Sequence, residues 1–193
     1  MALDQIVQHA VRLVPHRLRG KVKSLPLVGA AQRLIVDRSL SGRVFVHTVD
    51  AGPAKGITFQ VKLPEDKGIW TGTYEAAFAD RLETEMRPGM VGYDIGAWHG
   101  YFSGIMLAGG ASAVVAFDPL PDNRTRLDKM IALNPGSDVA IEPCALSDHE
   151  GTATLTLIDA TSKAKLSDSP FEPDKPQGID IEVALSTTDS VVA

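Results

Sequence analysis

Apolar positions recur along this chain in two periods, and the switches between them outline its elements. Over residues 3–14, Leu3, Ile6, Val7, Ala10, Val11 and Val14 fall at helical spacing, and Pro15 stops the run. Residues 43–49 (Arg-Val-Phe-Val-His-Thr-Val) and 57–63 (Ile-Thr-Phe-Gln-Val-Lys-Leu) alternate instead. Gly52-Pro53 and Gly56 lie between them, so the pair predicts a β-hairpin. Residues 68–73 read as a loop. Residues 74–87 predict a helix with Ala76, Ala77, Phe78, Leu82 and Met86 apolar, Thr73 as N-cap and Pro88-Gly89 as stop.

From residue 90 short apolar runs alternate with helical ones. Residues 91–102 predict a short buried strand with Asp94 at its end and a glycine-bearing turn, 101–108 a helix ended by Gly109-Gly110, and 113–117 a second strand. Pro119 and Pro121 predict a turn, 122–133 a helix, and 139–141 a third strand. Residues 152–157 and 179–185 predict two more strands, antiparallel to one another. The polar stretch 159–178 between them, with Pro170, Pro173 and Pro176, reads as a long loop, a lid or a mobile excursion. Strands alternating with helices predict an α/β fold built on a doubly wound parallel sheet. Two regions follow: a basic helical extension over 1–42, and one α/β domain over 43–193.

Composition narrows the class. The 193 residues are 44% hydrophobic and 22% charged, enough for a globular domain with a real core. Net charge is −5, which gives no general reason to expect nucleic acid. The charge is uneven: residues 1–43 hold eight Lys/Arg against Asp4 and Asp37 (+6), and the remainder carries −11. The basic run 16–23 beside the apolar stripe 3–14 has two readings, a helix packed on the domain and a membrane-surface contact through 3–23; the short stripe without interfacial aromatics favours the first. No apolar run reaches the roughly 20 residues of a membrane span, and no signal-peptide pattern is present. Cys144 is the only cysteine, so a reducing, cytoplasmic location is expected.

The chemistry concentrates at the ends of the predicted strands. In a parallel α/β sheet ligands bind past the carboxyl ends of the strands. Asp94, Asp118 and residues 144–148 all follow strand ends, so the topology should bring them to one edge. Gly96 suits a turn that needs positive φ or no Cβ beside a ligand, and Gly100 should let the following helix approach the sheet. Asp118 is placed to accept two hydrogen bonds from a ribose diol, and Asp94 to accept from a cationic amine or to orient a water. The pattern Asp94-x-Gly96-x-x-x-Gly100 differs from the Gly-x-Gly-x-x-Gly that brings backbone to a pyrophosphate. A carboxylate at this strand end repels a pyrophosphate and suits a sulfonium, which favours S-adenosylmethionine over NAD. The plainer reading is that Asp94 caps one helix and Asp118 the next turn. His47 reads as a strand histidine rather than a metal ligand, since no partner lies at ligand spacing, and no metal site is expected. His99 reads as a polar residue at a helix start before it reads as a general base. His149 has no clear role, and Cys144 has no histidine partner for nucleophilic work. No catalytic residue is assigned.

Gly72-Thr73-Tyr74-Glu75, Arg87-Pro88-Gly89, Tyr93-Asp94-Ile95-Gly96-Ala97 with Gly100-Tyr101-Phe102, Ala116-Phe117-Asp118-Pro119, Leu133-Asn134 and Ala145-Leu146-Ser147-Asp148 with Gly151 resemble, in order and spacing over residues 70–190, the FkbM family of S-adenosylmethionine-dependent methyltransferases. The resemblance implies a class I methyltransferase (Rossmann-like) fold and O-methylation of a sugar or natural-product hydroxyl. Carried over by position, Asp94, Gly96, Ala97 and Gly100 form the donor loop. Asp118 holds the ribose, Ala145 and Leu146 lie near the adenine, and Tyr74 and Glu75 border the pocket. Two departures stand out. Asp118 replaces a longer Glu, and Ala97-Trp98 stands where the family commonly has Ala-Asn.

The family pattern continues past Thr188-Asp189 with a helix and a Lys-x-Asp-x-Glu-Gly strand, so the expected sheet is incomplete at its C-terminal half and the strand that ends at Asp94 becomes its edge. Two functions are therefore expected. One is a methyltransferase acting on a small-molecule or glycan acceptor. The other is an inactive donor-domain remnant that binds or homo-oligomerises through the open edge.

Overall fold

The computed structural model describes residues 42–159, 163–166 and 178–192. The expected extension 1–42, apart from Gly42, and most of the 159–178 loop lie outside the described residues. Among the described residues the chain is an α/β protein with one parallel and two further sheets. It groups into two compact units: Met1–Pro88 with Gly104–Gly110, and Gly89–Ser103 with Ala111–Ala193.

In the first unit, β1 (Val44–Thr48) and β2 (Thr58–Lys62) form the expected antiparallel hairpin, with Phe45 opposite Val61 and His47 opposite Phe59. Phe59, Val61 and Leu63 are buried, and so is His47, while Val44 and Val46 face outward. The expected loop at 68–73 is instead a helix, α1 (Lys67–Thr71). Asp66 precedes it and accepts the Lys62 amide at 2.7 Å, and Gly72 closes it in the left-handed conformation (φ 67°). Helix α2 (Ala76–Glu85) starts later than expected. Its N-cap is Glu75, not Thr73, whose hydroxyl bonds the Thr71 hydroxyl at 2.8 Å instead. Only Ala79 of α2 is buried; Ala76, Ala77 and Phe78 are exposed.

The second unit carries the parallel sheet, in the order β3 (Val91–Ile95), β4 (Ala113–Phe117), β5 (Val139–Glu142). Helix α3 (Tyr101–Ala108) links β3 to β4 and is shared between the units; α4 (Pro121–Leu133) links β4 to β5. Pro121 opens α4 rather than ending a turn before it, since its fixed φ and missing N–H suit a first helical position. The central strand β4 buries Val114, Ala116 and Phe117, and α4 buries Leu127 and Met130. Among the described residues β3 and β5 are the two edges of this sheet. In β3, Gly92 and Asp94 are buried, and Val91, Tyr93 and Ile95 point the other way, exposed.

The chain then leaves the doubly wound pattern. β6 (Ala145–Leu146), β7 (Gly151–Asp159), β8 (Lys163–Leu166) and β9 (Ile179–Ser186) form a four-stranded sheet in the order β6-β9-β7-β8. β7 and β9 are antiparallel, as their alternation predicts, and β8 is a strand within the stretch expected as loop. Leu155 and Val183 of this sheet pack with Leu120 from the β4–α4 connection, and Ala145 packs against the same cluster. A short helix, α5 (Thr188–Val192), closes the described chain.

Candidate functional site

The site begins with register. β3 and β4 pair so that Asp94 lies opposite Ala116 and Ile95 opposite Phe117, which leaves Gly96 and Asp118 as the first residues beyond the paired ends. The turn that follows is pinned to the end of β4 by three successive amides. Gly96 N and Ala97 N both donate to the Phe117 carbonyl, at 2.9 and 3.0 Å, and Trp98 N donates to Asp118 Oδ2 at 2.8 Å. Gly96 (φ 77°) and Trp98 (φ 53°) are left-handed, which is how consecutive N–H groups come to point at one strand end. Glycine adopts that conformation freely, but tryptophan does so at a cost of roughly 1–3 kcal/mol. The Trp98 indole lies against the buried His99 with the rings tilted by 32° and their centroids 3.6 Å apart, and the Arg126 guanidinium lies 5.5 Å from the indole centroid.

Gly96 and Gly100 do different work. A Cβ built on Gly96 meets nothing within 4 Å, so its positive φ is the only local demand for glycine and the space beside it is open. A Cβ on Gly100 (φ 82°) comes within 2.6 Å of both Leu127 Cδ1 and Met130 Cε. Gly100 therefore admits the side chains of α4, a correction to its expected role of seating α3 on the sheet.

The two carboxylates occupy unlike surroundings. Asp94 is buried, and its Oδ2 accepts the Ser103 amide at 2.8 Å and the Ser103 hydroxyl at 2.6 Å. It thus caps the start of α3, the plainer of its two readings, while Oδ1 takes no hydrogen bond among the described residues. Burial pushes its pKa up, Ser103 opposes this, and the neighbouring Asp118 charge adds to the rise. Asp118 is also buried and is saturated by protein donors. Oδ1 accepts Leu120 N at 2.9 Å, Oδ2 accepts Trp98 N, and the Asn123 side-chain amide bridges both oxygens at 3.1 Å. Burial raises its pKa against these hydrogen bonds and the nearby Arg124. Arg124 itself donates to the Pro119 carbonyl at 2.6 Å. Asp118 thus forms the side-chain turn expected of an Asx residue two positions before its donor.

The remaining expected site residues fall in two places. In the second unit, Ala97 is buried in the turn, and Ala145 and Leu146 pair in parallel with Leu185 and Ser186. Through the Leu120 cluster, Ala145 sits close to the Asp118 connection. Tyr74 and Glu75 belong to the first unit. Glu75 is left-handed (φ 39°), and the Tyr74 phenol is pushed up by burial, by the Glu75 charge and by a hydrogen bond to Glu75. Cys144 is buried, and both burial and Glu142 raise its thiol pKa, so it is a poor thiolate. His149 is exposed and bonds Asp148 at 2.6 Å. Among the described residues no three His, Cys, Asp or Glu side chains gather as a metal site, and no helix is long and apolar enough to cross a membrane.

Reading the sequence alone missed Ser103 and Asn123, the side chains that govern the two carboxylates. Neither carries a spacing signal: Ser103 reads as one small residue in an apolar helix, and Asn123 as an ordinary first-turn polar residue. No family model matches this chain, and no curated protein matches it.

Proposed function

We propose that this chain binds S-adenosylmethionine at the end of the β3–β4 pair and belongs to a class I, Rossmann-like methyltransferase, with O-methylation as the activity implied by its resemblance to the FkbM family. The observation that carries the reading is the use of the turn amides. A pyrophosphate-binding loop needs N–H groups free to receive the phosphates. Here the amides of Gly96, Ala97 and Trp98 are all consumed by Phe117 and Asp118. What remains at the end of β3 is the second oxygen of Asp94, with open space beside Gly96. Such a site attracts a cationic, phosphate-free ligand. The donor supplies an activated methyl group on a sulfonium. Asp94 Oδ1 is the acceptor for its α-amine, the surface of Gly96 is its seat, and Asp118 faces its ribose. The chain's share of catalysis is to hold donor and acceptor aligned at roughly 3–3.5 Å.

Isothermal calorimetry with S-adenosylhomocysteine tests the reading. Saturable one-to-one binding, with no heat from NADH, is expected. NADH binding without S-adenosylhomocysteine binding replaces the methyl donor with a nicotinamide.

One observation favours a second reading, an association module. Val91, Tyr93 and Ile95 are 51%, 37% and 65% exposed on one face of a strand that has a partner on one side only. Large apolar side chains and open backbone groups together suit a second copy of the chain. Sedimentation would then give a dimer that Tyr93→Lys dissociates, with no donor binding by either protein.

A further inference from the structure

Asp118 has two oxygens and about four acceptor positions, and this structure fills them. Leu120 N and Trp98 N take one position on each oxygen, and the Asn123 amide spans both oxygens at 3.1 Å. A vicinal diol chelates a carboxylate the same way, with one donor to each oxygen. The Asn123 side chain therefore sits on the acceptor face that a ribose would use. The two backbone donors cannot leave without moving the turn or the start of α4. Asn123 can leave by rotating a side chain, although it is 3% exposed and gives up its buried contacts in doing so.

We propose that Asn123 is an internal competitor for the Asp118 carboxylate, a gate that a diol-bearing ligand must displace and that sets the affinity of the site. This rests on the reading of Asp118 as the ribose acceptor. The Asn123 amide offers Asp118 the hydrogen bonding that a diol would offer, at 3.1 Å to both oxygens. It also makes affinity a difference, since every ligand contact to Asp118 is gained against one that the free protein already makes.

The experiment compares wild type with Asn123→Leu, which keeps the volume and removes the donor, and with Asn123→Ala as a second variant. S-adenosylhomocysteine and its 2′-deoxy analogue are titrated into each, and thermal unfolding is recorded. The expected result is an affinity gain of about three- to tenfold for S-adenosylhomocysteine in either variant, the scale of one neutral hydrogen bond. No gain is expected for the 2′-deoxy analogue, and Tm falls. A merely structural asparagine would lower Tm and affinity together for both ligands. Wild-type binding with no gain in either variant, or an equal gain for both ligands, overturns the gate and leaves the donor site standing. No binding of S-adenosylhomocysteine by any of the three proteins overturns both.

Discussion

Ser103 reaches back to Asp94 with two donors, its amide at 2.8 Å and its hydroxyl at 2.6 Å, both onto the same carboxylate oxygen. One residue at the end of β3 and one in the first turn of α3 thus hold the strand, the turn and the helix in fixed relation. Removing the hydroxyl leaves a buried carboxylate with one donor fewer. Ser103→Ala should cost about 1–3 kcal/mol, read from urea unfolding. A loss below 0.5 kcal/mol, the ordinary scatter of surface substitutions, would mean that the amide alone caps the helix.

The same pair predicts a pH dependence. Burial raises the pKa of both Asp94 and Asp118 in the folded chain. Folded carboxyls then keep protons that unfolded ones have lost, so this contribution to stability is fully present below the unfolded value, about 3.9. It is lost as pH rises through the raised folded values. Asp94→Asn should keep the oxygen that accepts from Ser103, abolish its share of that loss, and flatten stability against pH above about 4. Parallel curves for the two proteins would remove Asp94 as a source.

The two turn glycines should respond unequally. Gly96→Ala places a side chain at φ 77° in open space, which costs about 1–2 kcal/mol in the left-handed conformation. Gly100→Ala adds a Cβ within 2.6 Å of Leu127 and Met130, so overpacking contributes about 1–3 kcal/mol more. Unfolding of the two variants side by side checks this, and equal losses would mean that α4 yields without cost.

Gly96 also separates folding from binding. Asparagine tolerates positive φ better than other side chains, so Gly96→Asn should unfold near the wild-type temperature. If the donor lies over Gly96, the new side chain occupies its seat, and S-adenosylhomocysteine affinity should fall more than tenfold, above about 1.4 kcal/mol. Unchanged affinity would move the ligand elsewhere.

In the first unit, Glu75 both strains the backbone at φ 39° and raises the Tyr74 phenol. Glu75→Gly should relieve roughly 1 kcal/mol of strain and lower the Tyr74 pKa toward its ordinary value, leaving the rise due to burial. Spectrophotometric titration of the phenol reads the second effect directly. A phenol that stays where it was would assign the whole shift to burial.

Much of the fold around the site is legible in the sequence. Hydrophobic period alone placed β1, β2, β3, α3, β4 and β5, because each is set by neighbours in the chain: alternation for the hairpin, short apolar runs for the strands, Gly109-Gly110 for the end of α3. The carboxylates at the ends of β3 and β4 were legible for the same reason, being the residues next to or beyond the last apolar position. Helix α1 was not, because its five residues are too few for a periodic stripe and it is closed by the left-handed Gly72. Ala76, Ala77 and Phe78 are exposed although apolar, because the pattern shows which residues can be buried, not which have something to be buried against.

The sequence by itself determined the order of strand, glycine turn and helix, and put Asp94 and Asp118 where parallel strands end. Only the tertiary structure decided what those carboxylates touch. Asp94 answers to Ser103 because α3 folds back over its strand, and Asp118 answers to Trp98, Leu120 and Asn123 because the β3 turn and the start of α4 converge on it. Gly100 is glycine on account of Leu127 and Met130, residues of a later helix. Local periodicity reports a preference of the chain for itself. Hydrogen-bond partners and close approaches are set by which distant segments arrive at the same place, and that depends on the packing of the whole unit.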